Sequence, residues 1–319
     1  TKNAETRYPV PYTYWKKISK GNSLDYDSTL EEVMAQTKRL MFQAIPVDAN
    51  DKTSAWLTAR SKSVTSIRDV IGKSPYRARI GIKASINGIF WLEKLTTRPD
   101  GLLVVRNLAE RSKKNVESIT VDIEPDLIFP LIQGREVKKW HVTSEAFILV
   151  THLPGQRLKA IEVGDMQKIW PRTFSYLSRF QTILENSGVI GRYFPNGPFY
   201  SMFNIGDYTF AKYKLVFREI SSEFTCAVIT NPDNGKVAIP DHKLVMCSCK
   251  TLDEAHYLCA LLNSSIARYI VASFVIGTQH STHIFEHLRI PQWNAKNGTH
   301  VKLANLSASA HDLAKKIYM

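Results

Sequence analysis

Short apolar runs bounded by glycine, proline and asparagine recur through most of the chain, and they constrain its fold more than any other feature. Strand candidates lie at residues 78–95, 102–106, 118–123, 127–132, 146–151, 208–220, 224–230 and 243–249. The runs come in groups and do not alternate strictly with helices. This arrangement is typical of an α+β fold with mixed, largely antiparallel sheets flanked by helices.

Helices are predicted where the apolar spacing changes to a period near 3.6 residues. The predicted helices cover residues 29–45, 172–185, 252–274 and 303–318. The chain has 319 residues, enough for about two domains. We expect three parts: a helical N-terminal segment and linker over 1–70, a main domain over 71–300 and a C-terminal helix over 301–319.

The charge balance favours a polyanionic partner. The chain carries 42 Lys and Arg against 29 Asp and Glu, a formal net charge of +13 that is spread along the sequence. A diffuse positive surface suits nucleic acid, although a merely soluble basic protein would share it. The four cysteines form no C-x-x-C pair and are interpreted as reduced thiols. No signal-peptide core or apolar run of about 18 residues is present, so the sequence predicts a cytoplasmic protein.

Several common catalytic and nucleotide-binding motifs are absent. The sequence contains no G-x-G-x-x-G, no P-loop and no G-x-S-x-G nucleophile elbow. It begins with Thr1 and not with Met, so we expect a piece of a longer protein.

One short pattern is spelled like the metal site of a nuclease. Asp126 lies upstream of Glu136 and Lys138, as in sites where two carboxylates hold a divalent ion and a lysine stabilises charge. The pattern is degenerate, and Glu136 follows Gly134 in an expected turn. A metal-dependent nuclease that uses these three residues is therefore an alternative function.

A second pattern resembles a zinc protease motif. His283, Glu286 and His287 spell H-x-x-E-H, but a catalytic zinc needs a third protein ligand. No Glu follows His287, and Asp312 is the only later Asp. A polar turn before a short helix is the ordinary interpretation, and no metal site is predicted.

The segment 131–140, LIQGREVKKW, carries the strongest functional signal. It combines a glycine turn with Arg135, Lys138, Lys139 and Trp140. Lys and Arg neutralise phosphates, and Arg also reads guanine in the major groove. A solvated charged turn capped by a packed Trp would have the same sequence, so the neighbouring segments decide between the two.

The segment resembles the L-x-G-R-[DE]-[IV]-x-x-W signature of the TaqI-like C-terminal specificity domain. That domain is the target-recognition part of bacterial adenine-specific DNA methyltransferases and of combined restriction–modification enzymes. Further segments resemble the same family in the same order: SPYRARIGIKASINGIFWL, AFILVTH, WPRTFSYLSRFQTILEN, GPFYSM, KYKLVFREIS, HYLCALLNSSIARYIV and HLRIPQW. The resemblance covers residues 74–293. Three departures from the family pattern bear on base preference: Phe199, Ala211 and Gln292-Trp293.

In that family, methyl transfer belongs to a separate domain with a [DN]-P-P-[YFW] motif. This chain contains no such tetrapeptide, since Asn231-Pro232 is followed by Asp233. The resemblance therefore implies no catalytic residue, metal or cofactor in this chain. S-adenosylmethionine is expected in a methyltransferase domain outside it, in cis or in trans. The implied partner is double-stranded DNA, with no membrane. A protein-interaction module that binds an acidic partner is the remaining alternative.

The candidate DNA contacts fall into two groups. The phosphate contacts are Arg77, Arg79, Lys83, Lys138, Lys139, Lys212 and Lys214. The candidates for base reading are Arg135 and the polar loop 277–283, with Gln279, His280, Ser281, Thr282 and His283. Lys212 and Lys214 lie two apart on a predicted strand, so both are expected on one side of it. A solvated strand face would explain Lys212 and Lys214 equally well. A polar turn between helices would explain the loop 277–283 equally well.

Overall fold

The computed structural model describes residues 6–18, 24–46, 50–51, 56–60, 68–156, 159–230, 235–274, 280 and 282–318. Their strands are β1 Val10–Lys17, β2 Thr37–Pro46, β3 Trp56–Ala59, β4 Arg79–Ile80, β5 Trp91–Thr97, β6 Leu103–Asn107, β7 Thr120–Ile123, β8 Ile128–Ile132, β9 Val137–Lys138, β10 His141–Val142, β11 Ala146–Leu149, β12 Tyr213–Arg218, β13 Cys226–Ile229, β14 Ile239–Pro240 and β15 Leu244–Cys249. Their helices are α1 Leu30–Gln36, α2 Asn87–Phe90, α3 Val163–Ile169, α4 Pro171–Ser178, α5 Gln181–Glu185, α6 Gly188–Tyr193, α7 Leu252–Leu262, α8 Ser265–Phe274, α9 Ile284–His287 and α10 Gly298–Tyr318.

The N-terminal segment is a three-stranded antiparallel sheet in the order β1–β2–β3, with α1 between its first two strands. Thr29 caps α1, because its hydroxyl accepts the backbone N–H of Glu32 and its own N–H donates to the Glu32 carboxylate. The helix predicted over 29–45 ends at Gln36, and the chain continues directly into β2. Pairing with β1 outweighs the local helical spacing in this stretch.

A six-stranded sheet forms the first of two larger layers, in the order β14–β8–β11–β5–β6–β7. All neighbouring pairs are antiparallel except β14 and β8. Helices α3, α4 and α5 pack against this sheet through buried residues that include Met166, Leu177 and Leu184. The buried Tyr176 hydroxyl donates a hydrogen bond to the carbonyl of Ile89, which ties α4 to the end of α2.

A four-stranded antiparallel sheet forms the second layer, in the order β13–β12–β15–β4. One face, which includes Leu215 and Val245, packs in one apolar cluster with α7, α8 and α9. The C-terminal helix α10 lies along α7. The single helix predicted over 252–274 is two helices, which separate at Asn263 and Ser264.

The two sheets meet at a small apolar cluster formed by the second face of the four-stranded sheet. Val216 and Met246 pack there with Ile132 of β8. The chain crosses from one sheet to the other at Gly81, whose N–H donates to the Leu244 carbonyl at 2.9 Å. A Cβ at Gly81 would lie 2.1 Å from the Asp241 carbonyl oxygen, so only glycine allows this approach.

The α+β class, the largely antiparallel sheets and the C-terminal helix are confirmed. The domain boundaries at residues 70 and 300 stay predictions. In the part of the chain that the structure describes, no helix is both long enough and apolar enough to cross a membrane.

Candidate nucleic-acid interface

A short turn of 3-10 helix at Gly134–Glu136 carries the arginine of the LIQGREVKKW segment. Glu136 is 3% exposed, and its carboxylate accepts the backbone N–H of Gln133 at 2.6 Å and that of Glu145 at 3.3 Å. Burial raises the pKa of Glu136, although these two backbone hydrogen bonds favour the ionised form. The buried Glu136 carboxylate therefore fixes the backbone conformation at Arg135.

Arg135 itself projects to the surface. Its guanidinium Nη2 lies 3.2 Å from the carboxylate Oε2 of Glu145, and both side chains are about half exposed or more, at 49% and 65%. Exposed ion pairs of this kind contribute less than about 1 kcal/mol, so a phosphate or a base can compete for the guanidinium. A rigid backbone and a replaceable ion pair make Arg135 suited to binding an anion or a base edge.

The turn at Asp241–Lys243 brings a further cation, Lys243, to the same place. Lys243 and Gly134 are close neighbours, since a Cβ built on Gly134 would lie 3.6 Å from the Lys243 Cβ. Burial, together with the ammonium groups of Lys83 and Lys243, lowers the pKa of His242 to about 4. Exposed cations from three distant parts of the sequence thus surround the junction of the two sheets. We name this group the basic seam: Lys83, Arg135 and Lys243.

Sequence reasoning did not find Lys243. The residue lies beside Gly134, which precedes Arg135, because β14 pairs with β8 in parallel, with Pro240 opposite Ile132. That pairing joins segments more than 100 residues apart, and no local pattern in the sequence indicates it.

The hairpin β9–β10 carries the next two candidates. Lys138 is exposed, with its Nζ 4.1 Å from the centre of the Tyr318 ring at the end of α10. Lys139 Nζ lies 5.8 Å from the Trp140 ring. Trp140 has a φ of 62° and packs edge-on against His311, with 5.6 Å between the ring centres. The indole is thus a packing residue, while the two lysines remain candidates for phosphate contact.

Arg77 and Arg79 are both exposed on the segment that enters β4. The Arg79 guanidinium lies 5.8 Å from the centre of the Tyr208 ring, on the side of the small cluster between the sheets. Tyr76 anchors the segment, because its hydroxyl accepts the N–H of Trp293 at 2.8 Å. Both arginines stay candidates for phosphate contact.

The expectation that Lys212 and Lys214 share an exposed strand face is wrong. Lys212 is exposed but precedes β12. Lys214 is fully buried, and its ammonium group donates to the carbonyls of Ala211 and Ala238. Burial lowers the pKa of Lys214 to about 7. Because the sheet face around Lys214 is covered at the junction of the two sheets, this side chain cannot contact a phosphate.

The loop 277–283 is described in part, and Gln279 and Ser281 lie outside the described residues. His280 is buried; its ring Nε2 lies 3.1 Å from the Ser221 carbonyl, and burial lowers its pKa. A base-reading role for His280 is therefore wrong in this structure. Thr282 is half-buried, and the exposed His283 lies 2.9 Å from the Glu286 carboxylate.

The residues of the two metal patterns do not form metal sites. Both carboxylate oxygens of Glu136 accept backbone N–H groups, while Asp126 is exposed at the surface. In the second pattern, α9 is a single turn that begins after His283. Within the described residues no group of three or more His, Cys, Asp or Glu side chains could hold a metal ion.

Comparison with known proteins gives one informative relative. The type II methyltransferase M.NspV of Nostoc sp. (strain ATCC 29411 / PCC 7524) is 26% identical over 204 residues. The chain is thus similar to part of a type II methyltransferase. The match covers 64% of this chain and 38% of the relative, so the chain spans well under half of that protein's length. No protein-family model matches the chain.

Proposed function

We propose that this chain is the target-recognition part of an adenine-specific DNA methyltransferase of a restriction–modification system, as a TaqI-like specificity domain. The basic seam is the observation that carries the proposal: exposed Lys83, Arg135 and Lys243 lie around the junction of two sheets. The similarity to a type II methyltransferase supports it independently.

The residues of the basic seam suit two different roles, contact with phosphates and reading of a base edge. Lys83 and Lys243 would contact phosphates, which fix the register of a protein on the duplex without reading sequence. Arg135 would read a base edge, because its fork of donors matches the O6 and N7 atoms of guanine. The Glu136 carboxylate holds the Arg135 backbone in place, and such a preorganised reader loses little entropy on binding. Lys138 and Lys139 would extend the phosphate contacts along the hairpin.

Methyl transfer would belong to a domain outside this chain, which would also bind S-adenosylmethionine. Moving an adenine out of the duplex costs a few kcal/mol of lost stacking and pairing. Binding of a recognition domain to the flanking duplex offsets this cost. The partner domain would act in cis or in trans.

The N-terminal sheet offers a surface for such a domain. Tyr14 and Leu40 lie opposite each other on one face of the β1–β2 ribbon, and Trp15 and Met41 lie on the other. Tyr14, Trp15 and Met41 are 50%, 40% and 64% exposed. Apolar residues on both faces are typical of a sheet that is covered on both sides.

The deciding experiment is a selection of random duplex DNA on the purified chain, followed by a salt titration of the enriched sequence against a scrambled one. We expect a short asymmetric motif, with a log–log salt slope of about −0.9 for each neutralised phosphate. Equal salt-sensitive binding of both duplexes would remove sequence recognition from the proposal. Absence of binding at low salt would favour a protein partner for the basic surface.

Arg135→Ala tests the reading role directly. We expect this variant to bind DNA but to accept other bases at one position of the selected motif, a loss of discrimination of about 1–3 kcal/mol. Glu145→Ala is the matched control, because it removes the ion-pair partner of Arg135 and leaves the guanidinium in place. An unchanged motif with Arg135→Ala would contradict the reading role.

A further inference from the structure

Two of the four cysteines form a close pair beneath the C-terminal helix. Cys226 on β13 and Cys259 on α7 are both fully buried, and their sulfur atoms are 3.7 Å apart. Cys247 and Cys249 are also buried, on β15. The sequence gives no sign of the pairing, because 33 residues separate Cys226 from Cys259.

The side chain of Asn263 contacts both cysteines. Its side-chain carbonyl accepts the N–H of Cys226 at 3.1 Å, and its amide donates to the Cys226 carbonyl at 2.8 Å. The same amide nitrogen lies 3.4 Å from the Cys259 sulfur. A single side chain thus connects the strand, the helix end and one thiol.

His311 brings α10 to the same site. Its Nδ1 lies 2.7 Å from the Ser307 carbonyl and so carries the proton, which leaves Nε2 as the acceptor of the Val228 N–H at 3.0 Å. Both ring nitrogens of His311 are therefore already hydrogen-bonded, and the imidazole acts on the nearby Cys259 thiol through its charge distribution. Burial opposes ionisation of Cys259, but the neighbouring Cys226 thiol and the His311 imidazole outweigh it and lower the pKa of Cys259. Burial also opposes ionisation of His311, but Cys259 and the Ser307 carbonyl outweigh it and raise the pKa of His311.

We propose that Cys226 and Cys259 are a redox-active dithiol that hydrogen peroxide or an organic peroxide converts to a disulfide. The Cys259 sulfur attacks one peroxide oxygen, the O–O bond breaks, and a sulfenic acid forms. The leaving hydroxide takes the thiol proton of Cys259 and departs as water, whereas an organic peroxide releases an alcohol. The Cys226 thiol then attacks the sulfenic sulfur and releases a second water. Two thiols and one hydrogen peroxide give one disulfide and two waters.

The reaction requires two movements. A local opening must admit the peroxide to the fully buried thiols, and the sulfur atoms must then approach from 3.7 Å to about 2.05 Å, the length of a disulfide bond. The dithiol lies directly behind the hairpin β9–β10, since the Cys226 carbonyl accepts the N–H of Trp140 at 3.3 Å. Oxidation thus acts on the strand that supports Lys138 and Lys139. The chemistry of the pair does not depend on DNA binding.

The test is a peroxide titration of the full folded chain, followed by alkylation of free thiols and peptide mapping by mass spectrometry. We expect a Cys226–Cys259 cross-linked peptide to form first, with Cys247 and Cys249 still alkylated, and dithiothreitol to reverse it. Circular dichroism of the same samples checks that the chain stays folded. A sulfinic or sulfonic product without the cross-link would overturn the proposal. So would a cross-link that forms only in denaturant.

Two variants separate the chemistry from general reactivity of the thiols. Cys247→Ser is the matched control, because it removes a buried cysteine of the same cluster, and it should leave formation of the cross-link unchanged. His311→Asn should slow the cross-link several-fold at neutral pH, since it removes the imidazole that favours the Cys259 thiolate. Equal rates in wild type and His311→Asn would overturn the role of His311. The wild-type map tests the dithiol whether or not this variant folds.

Discussion

The carboxylate of Glu136 closes the turn that starts at Gln133, because it accepts the backbone N–H of Gln133 at 2.6 Å from a buried position. Its other oxygen reaches the N–H of Glu145, just before β11. One buried acid thus joins two strand ends and sets the backbone position of Arg135. The same residue would have been the metal ligand of the nuclease alternative.

Replacement of Glu136 distinguishes these two roles. We expect Glu136→Ala to lower the free energy of unfolding by about 1–3 kcal/mol, because it leaves the buried N–H of Gln133 without its partner. Urea denaturation measures the loss. Glu145→Ala, which removes an exposed carboxylate, should cost less than about 1 kcal/mol. A metal-dependent cleavage activity that Glu136→Ala abolishes at unchanged stability would instead support a nuclease.

Lys214 should make stability depend on pH. Burial lowers its pKa to about 7 in the folded chain, whereas an unfolded lysine titrates near 10.4. Between these values the unfolded chain binds more protons at this site, so stability should rise from about pH 7 to about pH 10, by up to roughly 1.4 kcal/mol per pH unit.

The difference between wild type and Lys214→Met isolates this effect from other titrating groups. We expect the stability advantage of wild type over the variant to grow as pH rises through this window, as measured by thermal or urea unfolding. A difference that is constant with pH would mean that the buried amine does not titrate there. Lys212→Met, which removes the neighbouring exposed lysine, should show no such trend.

Gly81 should be intolerant of any side chain. A methyl group there would lie 2.1 Å from the Asp241 carbonyl oxygen, at the point where the two sheets are joined. We expect Gly81→Ala to lower the unfolding midpoint strongly or to prevent soluble expression. Gly164→Ala in α3 is the matched control, because nothing lies within 4 Å of its added Cβ. Alanine should stabilise that helix by about 0.5–1 kcal/mol. Equal stability of the two variants would contradict the close approach at Gly81.

Local patterns in the sequence were sufficient for the fold class, the largely antiparallel sheets and the C-terminal helix. The grouped apolar runs predicted the α+β class, and Pro171 correctly marked the start of α4. Residues 29–45 show where local reasoning fails. Leu40 and Met41 fit a helical stripe, but in the structure they pair with Tyr14 and Thr13 of β1. Spacing within a segment carries no information on a partner strand elsewhere in the chain.

The candidate site was predictable to a smaller extent. Arg135 and Lys83 are exposed, as a solvent-facing contact must be, and the structure places both beside the same loop. The burial of Lys214 could not be predicted from the alternation of residues along its strand, because β12 is covered on both faces. Lys243 was missed since its position depends on the parallel pairing of β14 with β8. Long-range strand order therefore decides which cations meet.

Lys243 should contribute to DNA affinity without contributing to sequence preference. We expect Lys243→Ala to weaken binding of the selected and the scrambled duplex by similar factors, and to reduce the salt slope by about 1. Fluorescence anisotropy over a range of salt concentrations measures both quantities. Lys302→Ala is the control: this exposed lysine lies near the start of α10, about 24 Å along the helix from Tyr318. An equal effect of the two variants would mean that diffuse charge, and not the basic seam, binds the duplex. A change of the selected motif with Lys243→Ala would instead give this lysine a reading role.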